Sequence, residues 1–297
     1  RSGSVTGVQT CALPICAGGT HATSIVSHLS TSSGTEEGVF EFDVPTSSQT
    51  LSLSNRTYGT LVLSSSTNGG TVTYSGTGAS PLNIKGNLQI NSGVVFTTGF
   101  TADITIHQNL IQAASSVFNL QNSTSVTPSI NIVKILGNVE NQGAITETGG
   151  NRVPVLELNG TSNQNINVTG AIQNDVTLKI NNVAGATLIS PLTLPYKLTL
   201  TNGKLKTNAT NLLTLGDNAT TADGSSASFV EGPMKKIGDD DFNFPVGSGD
   251  IYAPIGIAGG GGNITDEFIG EYKRQNPQST PGLGNTIENT INHISSV

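Results

Sequence analysis

The chain has 297 residues, of which 11% are charged and 5% aromatic, with no tryptophan and a formal net charge of −7. Its basic residues are scattered singly apart from Lys235-Lys236, which argues against a nucleic-acid-binding face, because neutralising phosphates needs concentrated lysine and arginine. There is no run of 18 apolar residues that could cross a bilayer as a helix, and so polar a chain escapes the signature of disorder only because its charges are few and its β-branched residues many.

Residues 1–16 read as foreign to the gene. The string from Val5 to Ile15 resembles the codon-by-codon translation of a sequencing adapter, and Cys16 fits the adapter's continuation. With Cys11 and Cys16 set aside no thiol remains, which removes redox chemistry, thiol catalysis and Cys-ligated zinc from the expected functions. The native amino terminus is expected to be missing, and with it any segment that would reveal a signal peptide.

Residues 17–50 are expected to form an amino-terminal β segment or cap, with Val39–Val44 as its strand. From residue 51 to 225 aliphatic pairs at i and i+2 recur about every ten residues, as in Leu61/Leu63, Leu82/Ile84, Leu88/Ile90, Ile104/Ile106, Ile130/Ile132, Leu156/Leu158, Leu178/Ile180 and Leu198/Leu200. Two-residue periodicity marks one face of a strand, and the intervening Asn-Gly and Gly-Gly steps mark turns. A longer unit lies above this spacing: Leu88-x-Ile90-x-x-Gly93 matches Leu198-x-Leu200-x-x-Gly203, and Val139-x-Asn141-x-Gly143 is a shortened copy. Such a period suits the rungs of a parallel β-solenoid, in which no single turn closes its own core. The predicted fold class is therefore all-β, a right-handed parallel β-helix. A string of antiparallel sandwiches is the competing reading.

Near Ala227 the texture changes. Aromatics, prolines and clustered acids predict a second module over residues 226–297, a partial β-sandwich-like fold whose Phe242, Phe244 and Phe268 supply large core groups. The run Phe229-Val230-Glu231-Gly232-Pro233-Met234-Lys235-Lys236, followed by Phe242-Asn243-Phe244-Pro245-Val246-Gly247-Ser248-Gly249-Asp250-Ile251-Tyr252-Ala253-Pro254-Ile255-Gly256-Ile257, resembles a signature of large secreted or cell-surface repeat proteins of the Bacteroidota. The resemblance is specific from Phe229 to Ile257 and looser over the repeats. It implies an exported multidomain protein of the outer cell surface, with neighbouring domains in the full-length chain, and it carries over no catalytic residue.

Asp239, Asp240 and Asp241, with Asp250 nine residues on, form the densest set of oxygen donors and are the candidate Ca²⁺ ligands; a solvated turn is the competing reading. Asp217-Asn218 with Asp223-Gly224 is a weaker second group. Of His21, His28, His107 and His293, none has a metal-ligand spacing, and His107 draws interest only through its nearness to Asp103. Lys134, Glu140, Glu147 and Arg152 stand alone in sequence, but residues about 22 apart become neighbours when turns stack. The expected function is a non-enzymatic structural stalk or adhesion scaffold, whose partners are surface glycans or other proteins. The alternatives are a carbohydrate-active β-helix enzyme and a glycan-binding module. Three or more charged side chains converging on one face would favour the enzyme, whereas exposed aromatics for sugar stacking, which the binding module wants, are scarce.

Overall fold

The computed structural model describes residues 38–122, 132–149, 153–222, 224–258 and 262–274. Its described residues are all-β, without a helix, and most strands pair in parallel as a solenoid of about eight turns. Each turn contributes one short strand to each of three faces. The first face is an eleven-stranded sheet that begins at Val39–Asp43 and ends at Ile251–Tyr252. The second runs from Ser48–Leu51 to Ala171–Ile172, and a four-stranded sheet beginning at Leu192–Leu194 follows it. The third is an eight-stranded sheet from Arg56–Tyr58 to Thr220–Thr221.

The register explains the recurring aliphatic pairs. On the third face Leu82, Ile104, Val133, Leu156, Leu178 and Leu198 stack in one column. Tyr58, Ile84, Ile106, Ile135, Leu158, Ile180 and Leu200 stack in the next inward column, two residues along. Nearly all are sealed from solvent, so each turn covers the apolar edge of the one before it. Aromatics join this core well before the carboxyl end: Tyr74, Phe96 and Phe118 stack in register on the second face, the two phenylalanine rings 5.3 Å apart and tilted by only 8°.

Polar side chains carry the corners. Asn109 donates from its backbone and side-chain nitrogens to Asn87 Oδ1, its own Oδ1 accepts the Asn138 N–H, and Asn138 Oδ1 accepts the Asn165 N–H, all at 2.8–3.0 Å. These steps span 22, 29 and 27 residues, one turn each. Inside, Gln112 and Asn141 continue the column of Leu63 and Ile90. Both are buried where strands end, and their amides donate to the Ala144 and Ala171 carbonyls, so the polar side chains are satisfied inside the stack. Gly203 sits at φ +76°, and a Cβ there would lie 1.8 Å from the Asn182 carbonyl oxygen; this corner of the Asn202-Gly203 pair requires glycine.

Three expectations need correction. The buried pair on the third face near residue 132 is Val133/Ile135, whereas Ile132 falls on the outward parity and Ile130 lies outside the described residues. A slip of one residue exchanges the two faces of a strand, and three isoleucines and a valine in the six positions from 130 to 135 cannot tell the two registers apart. The matching units at Leu88 and Leu198 occupy different faces, the first and the third, so their likeness reflects a corner chemistry reused around the turn. Val39–Asp43, in the expected amino-terminal β segment or cap, is a strand and pairs in parallel with Thr60–Ser64. Finally, the texture change near Ala227 does not interrupt the stack: Val230–Glu231 and Val246–Ser248 extend the first face in parallel, and Met234–Ile237 pairs in parallel with Leu213–Leu215. In place of a separate sandwich, the described residues after 226 continue the solenoid and then fold back. Ile251–Tyr252, Ile255–Ile257 and Glu267–Gly270 pair antiparallel with Val246–Ser248, Phe242–Phe244 and Met234–Ile237.

Candidate functional site

Chemistry-bearing side chains gather in two places. The first is a corner near the carboxyl end. Asp217 leaves the strand Leu213–Leu215, and Asp239–Asp241 leave Met234–Ile237, the strand stacked on it. Because the two exits are the same corner one turn apart, carboxylate oxygens of Asp217, Asp239 and Asp240 lie within 4.8 Å of one another. Asp217, assigned from sequence to a weaker second group, thus completes the first; Asp223 lies outside the described residues.

The cluster already contains a cation. Lys236 is fully buried, and its ammonium donates to Asp240 Oδ2 at 2.8 Å, to the Gly216 carbonyl at 2.8 Å and to the Ile237 carbonyl at 2.7 Å. All three of its protons are thereby used. The Asn218 backbone N–H also donates to Asp240 Oδ2, at 3.0 Å. The Lys236 hydrogen bond first, and that of Asn218 next, hold the Asp240 carboxyl below its ordinary value. Asp240, Asp241 and Asn243 line a groove of about 420 Å³ with Asn218, Thr220 and Thr221. It opens because Phe242–Phe244 pairs with Ile255–Ile257 and leaves the last strand of the third face, Thr220–Thr221, paired on one side.

Asp250 does not join these residues. It lies in the turn after Val246–Ser248, on the first face, fully exposed and 3.7 Å from Lys204 Nζ. Nine residues of sequence span most of a turn here, so the spacing that suggested a fourth ligand carries Asp250 to another corner.

The second gathering is on the outward side of the third face. Register places Asn83, Thr105, Lys134, Glu157, Lys179 and Thr199 in one row. Lys134 Nζ lies 2.7 Å from Asp103 Oδ2, and Lys179 Nζ lies 3.3 Å from Glu157 Oε1. The same Glu157 oxygen accepts from Asn181 Nδ2 at 2.6 Å and from Asn159 Nδ2 at 3.2 Å, which leaves its side chain only 3% exposed. Charges isolated in sequence are therefore neighbours in space, alternating in sign along the axis. The sequence singles out Lys134 between Asp103 and Glu157 but gives no sign of Lys179, for which a register on the third face is the signal.

The other singly noted residues are dispersed. Glu140 accepts from Asn167 Nδ2 at 2.8 Å on the first face, and Glu147 is buried, accepting the Gly149 N–H at 2.9 Å. His107 follows Ile104–Ile106; burial first, and the Lys85 ammonium second, lower its pKa and keep it neutral at pH 7. Arg152, His21, His28 and His293 lie outside the described residues. Compared with known proteins, the chain matches no family model, no curated protein and no solved structure.

Proposed function

We propose that this chain is a non-enzymatic scaffold, a rigid stalk or adhesion spacer of an exported surface protein. The observation that carries the reading is the continuity of the stack. Inward columns run from turn to turn, corner amides link the turns from Asn87 to Asn165, and ten parallel strands of the first face extend about 45 Å at the usual spacing between strands. Each turn contacts only its neighbours, so a rod of this kind transmits load along its axis and holds flanking domains apart.

One observation favours a second reading, that of a carbohydrate-active enzyme: Asp103, Lys134, Glu157 and Lys179 meet on one face. Their pairing favours the scaffold. A general base must reach its substrate's proton, whereas Glu157 Oε1 is held by two amides and an ammonium and is shielded from solvent. The test is a turnover assay on neutral and acidic polysaccharides, reading released reducing ends and unsaturated uronates. No release is expected. Release that disappears in Glu157→Gln would replace the scaffold with the enzyme.

A further inference from the structure

The lysines that look scattered in sequence are gathered by the fold. Lys134 and Lys179 lie in the outward row of the third face. Lys197 pairs with Thr177 on the same outward parity, and Lys85 continues the strand Leu82–Ile84 with its backbone N–H on the Tyr58 carbonyl. Four ammonium groups thus lie along turns two to seven of one sheet, in a chain whose net charge is −7. All four lysines are half-buried, as expected when stems lie on the sheet and heads reach water. Against them stand Asp103, the exposed Asp175 at the entry to Thr177–Asn181, and Glu157, which is buried beneath its partners. The outward row of the first face is mixed, with Glu41 in the first turn, Glu140 in its middle and Lys206 farther along. The outward side of the third face therefore presents a strip with more cations than open carboxylates.

We infer that this strip is a docking surface for an acidic polysaccharide lying along the solenoid axis. Charge complementarity selects a polyanion. The strip spans five steps between turns, about 24 Å, which matches an extended chain better than a compact ligand. The face is the side of an eight-stranded sheet and presents no helix or two-stranded ribbon to a duplex groove, and its outward row of Asn, Thr, Lys and Glu offers no aromatic platform for the bases of a single strand. Carboxylates repeating along a sugar chain would meet Lys85, Lys134, Lys179 and Lys197 in turn, with Asn83 and the threonines hydrogen bonding to hydroxyls between them. The inference rests on the scaffold reading in taking the face as a surface that binds without cutting.

The test uses the full chain and immobilised polygalacturonate, with dextran as the neutral control and a single-stranded oligonucleotide as competitor. Binding to polygalacturonate alone is expected, weakening with a log–log salt slope near about −3 for four phosphate-like contacts. The double variant Lys85→Gln/Lys197→Gln removes two cations that have no ion pair among the described residues, so folding should survive; it should lose about tenfold in affinity and roughly half of that slope. Circular dichroism verifies the fold. Absence of retention, retention untouched by the double variant, or displacement by the oligonucleotide at equal charge would each overturn the proposal. Loss of binding without turnover leaves the scaffold standing, whereas cleavage of polygalacturonate removes the scaffold and keeps the docking face.

Discussion

The body of the solenoid and its carboxyl end use the same parallel ladders but finish their cores in different ways. In the body every turn is covered by the next, so the columns of Leu82, Ile104 and Leu156 need no large side chain, and the polar cost concentrates at corners, where Asn87, Asn109 and Asn138 meet it. In the last described residues the parallel stacking gives way to antiparallel pairing. The chain folds back on itself, Phe242 and Phe244 pack edge to face at 4.8 Å, and the ammonium of Lys236 satisfies two carbonyls left by the last bends. Repetition can rely on small identical parts; termination needs particular ones.

The sharpest way to break this comparison is within one strand of the body. Ile90 is buried in the first face, while its neighbour Gln89 points outward between Val62 and Ile111. Ile90→Asp places an unpaired charge in the core and should cost about 4 kcal/mol or more, and Gln89→Asp should cost under about 1 kcal/mol. Urea titration of the two variants measures it, and equal losses would mean that the inward columns do not hold the rod.

At the carboxyl end the corresponding change is Asp240→Asn, which leaves the Lys236 ammonium buried without its counter-charge. Breaking a fully buried pair costs about 3–5 kcal/mol, but the Asp240 side chain is one-third exposed, so a loss of about 2 kcal/mol is expected. The pH dependence has a definite sign. A carboxyl whose pKa is lowered by folding contributes stability that is present above its ordinary value, near about 4, and lost as pH falls through the lowered one. Wild type should therefore lose more stability than Asp240→Asn between neutral and strongly acidic pH. Parallel acid titration curves for the two would show that the pair contributes nothing.

The corner ladders come next in size. Asn109→Ala removes the acceptor of the Asn138 N–H and the donor to Asn87, and should cost about 1–2 kcal/mol. Asn109→Asp keeps the acceptor and should recover part of it. Full stability in Asn109→Ala would move the stabilisation of the corners from side chains to backbone.

Sequence periodicity made the body legible because its information is local: an aliphatic at i and i+2 declares a face, and Asn-Gly declares a bend. It failed where the decision is made by residues a turn away. Ile132 and Val133 are both good strand residues, and only pairing with Leu156 decides which turns inward. The same holds for function. Asp217 belongs with Asp239 and Asp240, and Lys134 stands beside Glu157 in the row that Lys179 continues, through a register that the unequal turns of 22 to 29 residues conceal. The proline- and phenylalanine-rich run after Ala227 was legible as something different from the repeats, but composition alone cannot separate a new domain from the closure of an old one. Both need large apolar groups where repetition stops.

The smallest expected effect concerns calcium at the terminal corner. Asp217, Asp239 and Asp240 bring hard oxygen donors within 4.8 Å of one another, as a Ca²⁺ site requires. Lys236 nevertheless holds Asp240 Oδ2 at 2.8 Å, so a divalent ion would have to displace a buried ammonium or bind against its charge. Millimolar calcium or a chelator should therefore shift the melting temperature of the wild type by less than about 2 °C, under about 1 kcal/mol for a chain of this size. Lys236→Met sharpens the test, since it removes the internal cation and keeps an apolar stem. If the ammonium is what occupies the corner, this variant should be destabilised without calcium and partly restored by it through mass action. A wild type that gains several degrees from calcium would make Asp217, Asp239 and Asp240 true ligands and Lys236 their bystander. A Lys236→Met protein indifferent to the ion would make the corner a solvated turn, and the end of the rod would then be held by its aromatics and antiparallel strands alone.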